Sequence, residues 1–249
     1  MSSPSNNSSS DSNAQKRVFA TTSWSLVIEA ADAHASGVAE ALSELCQQYW
    51  YPLYAFVRRK GFSRSEAEDL TQGFFADLLE KNRLQSAEPS RGSFRSFLLT
   101  SLSNFIANHW RAESAQKRGG GQTILSIDYE QADQRYAQQP ADQLTAEKIF
   151  ERNWALSILE QTLTAVGEQY EQSGKQELFL ALRGFLTGDG SLPYAELAEK
   201  IGMREGAVKV AVHRLRQRYG QQLRLQIAKT VQDPADVDAE LHALFEALD

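Results

Sequence analysis

The stretch LPYAELAEKIGMREGAVKVAVHRLRQRYGQQ, Leu192 to Gln222, restricts the fold more than any other part of the chain. Leu197, Ala198 and Ile201 fall on one face of a first helix, and Val208, Val212, Leu215 and Tyr219 recur at helical spacing on a second. Gly202 lies between them, and glycine enters the left-handed backbone of a tight reversal without a Cβ clash. Two short helices that bury facing stripes across such a turn form a helix-turn-helix, with Ala198 small enough for close contact and Val208 as the apolar lock. The second helix leaves Lys209, His213, Arg214, Arg216 and Arg218 off its apolar face. Helices of this kind lay their N-terminal half in the major groove of duplex DNA, which puts Gly206, Lys209, Val210 and His213 nearest the bases. From Arg204 to Lys229 there are seven Lys or Arg and one acid, Glu205, in a chain of net charge −6, so the basicity is local. A patch of one sign on an acidic protein steers toward phosphate without making the whole surface adhere to nucleic acid. A helical hairpin with solvated arginines is the plainer reading, and the local concentration of charge weighs against it.

The rest of the chain points to an all-α fold. Few runs alternate apolar and polar residues, whereas spacings of three and four recur almost throughout. With 249 residues, 42% of them hydrophobic, two small helical domains joined by a flexible linker are expected. Met1 to Arg17 is Ser/Asn-rich and reads as a disordered tail. Residues 18–116 form the first expected domain, with helices opening near Ser23, through VAEALSELCQQYWYPLYAFVRRKG, at Ser63 and at Ser93. Ser63 and Glu66 make a capping box, S-x-x-E, and the helix behind it turns Ala67, Leu70, Phe74, Leu78 and Leu79 inward. Residues 117–145, with three glycines and many polar residues, read as the linker. Residues 146–229 form the second expected domain, and 230–249 an acidic helix opened by Asp233 and Pro234, with Val237, Leu241, Leu244, Phe245 and Leu248 on its apolar stripe. From Asp233 onward there are six acids and no Lys or Arg, which raises the expectation that this helix folds back on the basic helix and competes with DNA.

Several classes of chemistry find no support. Cys46 is the only cysteine and His34, His109, His213 and His242 are scattered, so no disulfide, metal or cofactor is expected. The glycine run after Lys117-Arg118 follows no strand and lacks the Gly-Lys-Ser/Thr ending of a phosphate-binding loop. Glu66, Glu68 and Asp69 have no histidine or second carboxylate cluster beside them, and no nucleophile–base pairing stands out, so the chain is not read as an enzyme. No run approaches the apolar length that spans a bilayer and the N-terminus has no apolar leader core, so a cytoplasmic location without membrane contact is expected. The helix near Ser93 is more suggestive. Arg91, Arg95, Arg111, Lys117 and Arg118 accompany a single acid, Glu113, with aromatics interleaved. Unpaired bases are held by stacking on aromatic faces and by amide or guanidinium hydrogen bonds, and Asn104, His109, Trp110 and Arg111 are the candidates for that role. Equally, the aromatics of this helix can be core and its charges solvated.

Taken together these segments resemble the sigma-70 family of bacterial RNA polymerase initiation factors, in its two-domain extracytoplasmic-function (ECF) form with added N- and C-terminal extensions. YWYPLYAFVRRKGFSRSEAEDLTQGFFADLLE is similar to the family's second conserved region, where a helix ending in E-D-L-x-Q docks on the polymerase. The resemblance gives Glu68, Asp69 and Gln72 that docking role. FRSFLLTSLSNFIANHWR is similar to the helices that melt the promoter and read its downstream element, with Asn104 and Arg111 matching the family pattern. Phe97, Ser103 and Asn108 depart from it. PYAELAEKIGMREGAVKVAVHRLRQRY resembles the fourth region, which implies upstream-element contacts at Arg204, Gly206, Lys209, Val210, His213 and Arg214. Val210 and Ala211 stand where relatives are often polar, which shifts the balance toward phosphate contacts. The implied partners are core RNA polymerase and promoter DNA, and the resemblance also admits an anti-sigma protein. An ordinary helix-turn-helix regulator, acting on an operator without polymerase docking, is the competing reading.

Overall fold

Local signals set the helix starts, and the apolar stripes behind them set the packing. The computed structural model describes the backbone of residues 38–80, 93–113, 129–138, 144–188, 192–231 and 233–249, and side chains for 48–78, 93–109, 130–138 and the later segments. The expected N-terminal tail, the helix near Ser23 and the glycine run after Arg118 lie outside the described residues. Among the described residues all regular structure is helical, and no helix is long and apolar enough to cross a membrane. Two compact units emerge: residues up to Ala155 together with Ala228–Asp249, and Leu156–Ile227.

The first unit begins with α1 (Val38–Arg59), α2 (Arg64–Glu80) and α3 (Phe94–Glu113). The capping box forms as the sequence implies: the Ser63 N–H donates to Glu66 Oε2 at 2.8 Å, and the Glu66 N–H points back to Ser63 Oγ at 3.4 Å. Those contacts satisfy N–H groups that a helix start leaves without intrahelical partners. They also hold the Glu66 carboxyl below its ordinary pKa, through the Ser63 hydroxyl first and its backbone second. Behind this start Ala67, Leu70, Phe74, Phe75 and Leu78 are buried, against Leu53, Phe56 and Val57 of α1 and Phe94, Leu98 and Leu102 of α3 in one core. Edge-to-face aromatic contacts tie the helices, Tyr49 to Phe94 at 5.5 Å and Phe74 to Phe105 at 5.9 Å between ring centroids.

Two findings depart from the expected organisation. First, the expected flexible linker contains a helix, α4 (Tyr129–Ala137), packed on α1. Ala132 is its buried contact. The Tyr54 hydroxyl donates to Asp133 Oδ1 at 3.0 Å, and Arg58 pairs with the same oxygen at 3.2 Å. Arg135 lies over the Tyr51 ring at 4.3 Å and Arg58 over the Tyr136 ring at 5.1 Å. Just beyond, Arg59 donates to the Leu144 carbonyl at 2.9 Å and Lys60 pairs with Glu147 at 2.8 Å. Polar pairs and cation–ring contacts attach this helix where an apolar stripe is lacking, which is why a hydrophobicity pattern misses it.

Second, the compact units divide after Ala155 and after Ile227, beside the expected 146 and 229. The 27-residue helix α5 (Ala146–Gln172) has its first turns in the first unit, where Ile149, Phe150 and Trp154 are buried. The C-terminal helix, here α10 (Val237–Glu246), returns to that unit as well, after a 3-10 turn at Pro234–Asp236 capped by Asp233, which accepts from the Ala235 N–H at 2.9 Å. Its Glu240 is 7% exposed and forms an ion pair with Arg95 of α3. α10 is thus anchored within the first unit, whereas α9 belongs to the second. Its inward face also differs from the expected stripe: Val237, Glu240 and Leu244 are buried while Phe245 is 50% exposed. The acidic residue on that inward face meets a cation 145 positions away.

The second unit continues α5 through α6 (Gln176–Leu182), α7 (Gly184–Thr187), α8 (Tyr194–Ile201) and α9 (Glu205–Ala228). The helix-turn-helix is α8 and α9. Gly202 adopts φ 68° and ψ 31°, with its N–H on the carbonyls of Ala198 and Glu199, and the Met203 N–H closes on the Ala198 carbonyl at 2.9 Å. This is a left-handed helix end of the kind glycine accepts at no steric cost. Leu197, Ala198, Val208, Val212 and Leu215 share one buried cluster with Val166, Tyr170, Phe179 and Leu182, so both halves of the motif rest on α5 and α6.

Candidate nucleic-acid and polymerase interfaces

On α2 the residues facing away from the core are the ones the docking role requires. Glu68, Asp69 and Gln72 lie on one arc of the helix, opposite the line of Ala67, Leu70, Phe74 and Leu78. Asp69 is exposed, while Glu68 and Gln72 are half-buried. Arg64 pairs with Glu68 one turn away at 2.8 Å, so a partner cation would compete with an existing exposed bond there. Gly73 places α2 close to α3: a Cβ on it would meet the Phe105 ring at 3.3 Å.

Of the four residues proposed for unpaired bases, the structure describes the side chains of Asn104 and His109. Asn104 is exposed on α3, and Arg111 follows it two turns later in the same register. His109 is exposed too, but it shares the register of Phe105, whose ring centroid is 5.9 Å from its own. It therefore lies off the Asn104 line. The side chains of Trp110 and Arg111 lie outside the described ones. Arg95, counted with the basic patch, is withdrawn from solvent. Its side chain is 11% exposed, pairs with Glu151 at 2.7 Å and with Glu240, and lies over the Trp154 ring at 4.3 Å. Burial pulls the guanidinium pKa down, and Glu151 and Glu240 more than offset it, so the net shift is upward and the cation is retained. Burial pushes the Glu151 carboxyl up despite Arg95. Arg95 is thus a structural cation of the first unit, and no local feature of the sequence signals that.

On α9 and directly before it, all six upstream candidates, Arg204, Gly206, Lys209, Val210, His213 and Arg214, are exposed. Lys209 pairs with Glu205 at 2.7 Å, and that bond raises its pKa. Its ammonium also lies 5.7 Å from the Tyr194 ring centroid, and Tyr194 stacks on Phe185 with centroids 5.0 Å apart and planes 6° from parallel. This aromatic support at the start of α8 was not read from the sequence, though Tyr194 stands directly before the first apolar stripe. Arg216 donates to the Phe185 carbonyl at 3.3 Å and Arg218 lies over the Tyr170 ring at 5.1 Å. Cations on both sides of α9 are therefore held in place by the unit itself.

No curated protein and no solved structure matches the chain. Residues 45–116 match the family model for Sigma-70 region 2, the segment that holds α2 and α3, and this supports a sigma-70 family member.

Proposed function

We propose that the chain is a sigma factor of the ECF type, which binds core RNA polymerase through α2, holds unpaired bases of the downstream promoter element along α3, and grips the upstream element as duplex through α9. Glu68, Asp69 and Gln72 serve the polymerase contact. Asn104 and Arg111 hold the separated strand, with His109 and Trp110 beside them, while Arg204, Lys209, His213 and Arg214 engage the upstream duplex. The reading is carried by one observation: a sigma-70 region 2 match and an exposed-cation helix-turn-helix occur in one chain. An operator-binding regulator has no need of a polymerase-docking helix. The work is recruitment and strand separation, and the two DNA contacts lie on one chain, so the second becomes effectively intramolecular once the first forms.

The test is transcription in a purified system. Added to bacterial core polymerase and a library of genomic fragments, the chain should start transcripts at defined positions. Asp69→Ala with Gln72→Ala should lower co-purification with the polymerase while leaving the melting profile as in the wild type, since neither residue is core. DNA binding at full strength with no initiation would turn the assignment to the regulator.

A further inference from the structure

Along α9 two features have no explanation within the chain. Gly206, Val210, His213 and Gln217 succeed one another at helical spacing on the side opposite Val208, Val212 and Leu215, so they form the outward crest of the helix. Val210, in the middle of that crest, is 49% exposed. Gly206, one turn earlier, is helical, lies outside the positive-φ glycines, and a Cβ built on it meets nothing within 4 Å. Glycine inside a helix costs stability relative to alanine, and neither turn geometry nor internal packing requires it at this position.

The cations lie to either side of this crest. Lys209 and Arg216 flank it on one side and Arg214 and Arg218 on the other, with Lys209, Arg216 and Arg218 each tied back to the unit. In a major groove, flanking cations meet the two phosphate backbones while the crest meets the base edges. In its first turns, ahead of His213 and Gln217, the crest offers an isopropyl group and a gap. The apolar group that base pairs display in that groove is the C5-methyl of thymine.

The geometry points to Gly206 and Val210 as a notch and knob that recognise a thymine of the upstream element by its 5-methyl group. Val210 supplies the apolar contact, and the missing side chain at position 206 lets the helix approach the groove floor. This rests on α9 being the duplex-reading helix, as proposed above. It makes Val210, a departure from polar readout, the residue that sets the preference for thymine at that position.

The experiment uses the full chain bound to bacterial core polymerase. Duplexes randomised across the upstream element are selected for retention, and each thymine of the enriched sequence is then replaced singly by uracil, which lacks only the methyl. Wild type should lose about fourfold in affinity at one thymine, the equivalent of one buried methylene-sized group. Val210→Ala should bind the thymine and uracil duplexes alike. Gly206→Ala should bind more weakly at that position while melting no lower than wild type, a combination that a packing role would not produce. Indifference of wild type to uracil at every thymine, or a full uracil penalty in Val210→Ala, overturns the methyl reading while leaving α9 as a duplex-binding helix. Absence of any enriched sequence, with Lys209→Ala/Arg214→Ala retained as well as wild type, removes the duplex-reading helix and this inference with it.

Discussion

Arg95→Met is the most demanding test of how the first unit is held together. The substitution keeps an unbranched apolar stem against the Trp154 ring and removes the cation between Glu151 and Glu240. Glu240 is 8% exposed at its side chain and Glu151 31%, so two carboxylates then share a largely dry site. Removing one partner of a buried ion pair costs about 3–5 kcal/mol, because the remaining charge has neither solvent nor counter-ion. For a chain of this size about 3 kcal/mol corresponds to a fall of roughly 10 °C in the melting temperature of the affected unit. The sign with pH follows from Glu151. Burial already raises its pKa in the presence of Arg95, and without Arg95 burial and Glu240 push the same way. A carboxyl whose folded pKa lies above its unfolded value contributes stability that is fully present below the unfolded pKa and lost as pH rises through the folded one. The deficit of Arg95→Met relative to wild type should therefore be largest at neutral pH and shrink on acidification toward the ordinary carboxylate pKa. Urea denaturation followed by circular dichroism, at about pH 7 and about pH 4.5, measures both the deficit and its pH dependence. A variant within about 1 kcal/mol of wild type at neutral pH, or a deficit that does not change between the two pH values, would refute the buried-cation account.

Three further outcomes follow from the same structure. Truncation after Val231 removes Glu240 and the buried Val237 and Leu244, so it should lower the melting temperature of the first unit; tighter binding to duplex DNA would instead support the masking role for the acidic helix. Gly202→Ala forces a Cβ into a backbone with φ 68° and should destabilise the second unit by about 1 kcal/mol, read by thermal denaturation, whereas an unchanged profile would mean that the turn relaxes freely. Lys209→Ala combined with Arg214→Ala should weaken promoter binding and lower the slope of log affinity against log salt by about one for each phosphate no longer neutralised; an unchanged slope would remove both from the phosphate interface.

The parts of this protein that the sequence determined by itself are those whose partners are near in the chain. The helix-turn-helix is legible because Leu197, Ala198, Val208, Val212 and Leu215 repeat at helical spacing around a glycine, and that spacing defines the inward face which the structure seats on α5 and α6. The capping box at Ser63 is legible for the same reason, three residues being its whole extent. The outward arc of Glu68, Asp69 and Gln72 follows once the opposite arc is recognised as apolar. Tertiary structure decided where the charges with distant partners go. Asp133 meets Tyr54 across 79 positions and turns a polar linker segment into a docked helix, and Glu240 meets Arg95 across 145 positions and turns a cation counted with a basic patch into an interior one. The physical reason is that a hydrophobic period states which face of a helix leaves water, whereas a charged residue is stable in solvent or in a pair, and only the assembled fold brings the partner that chooses between them.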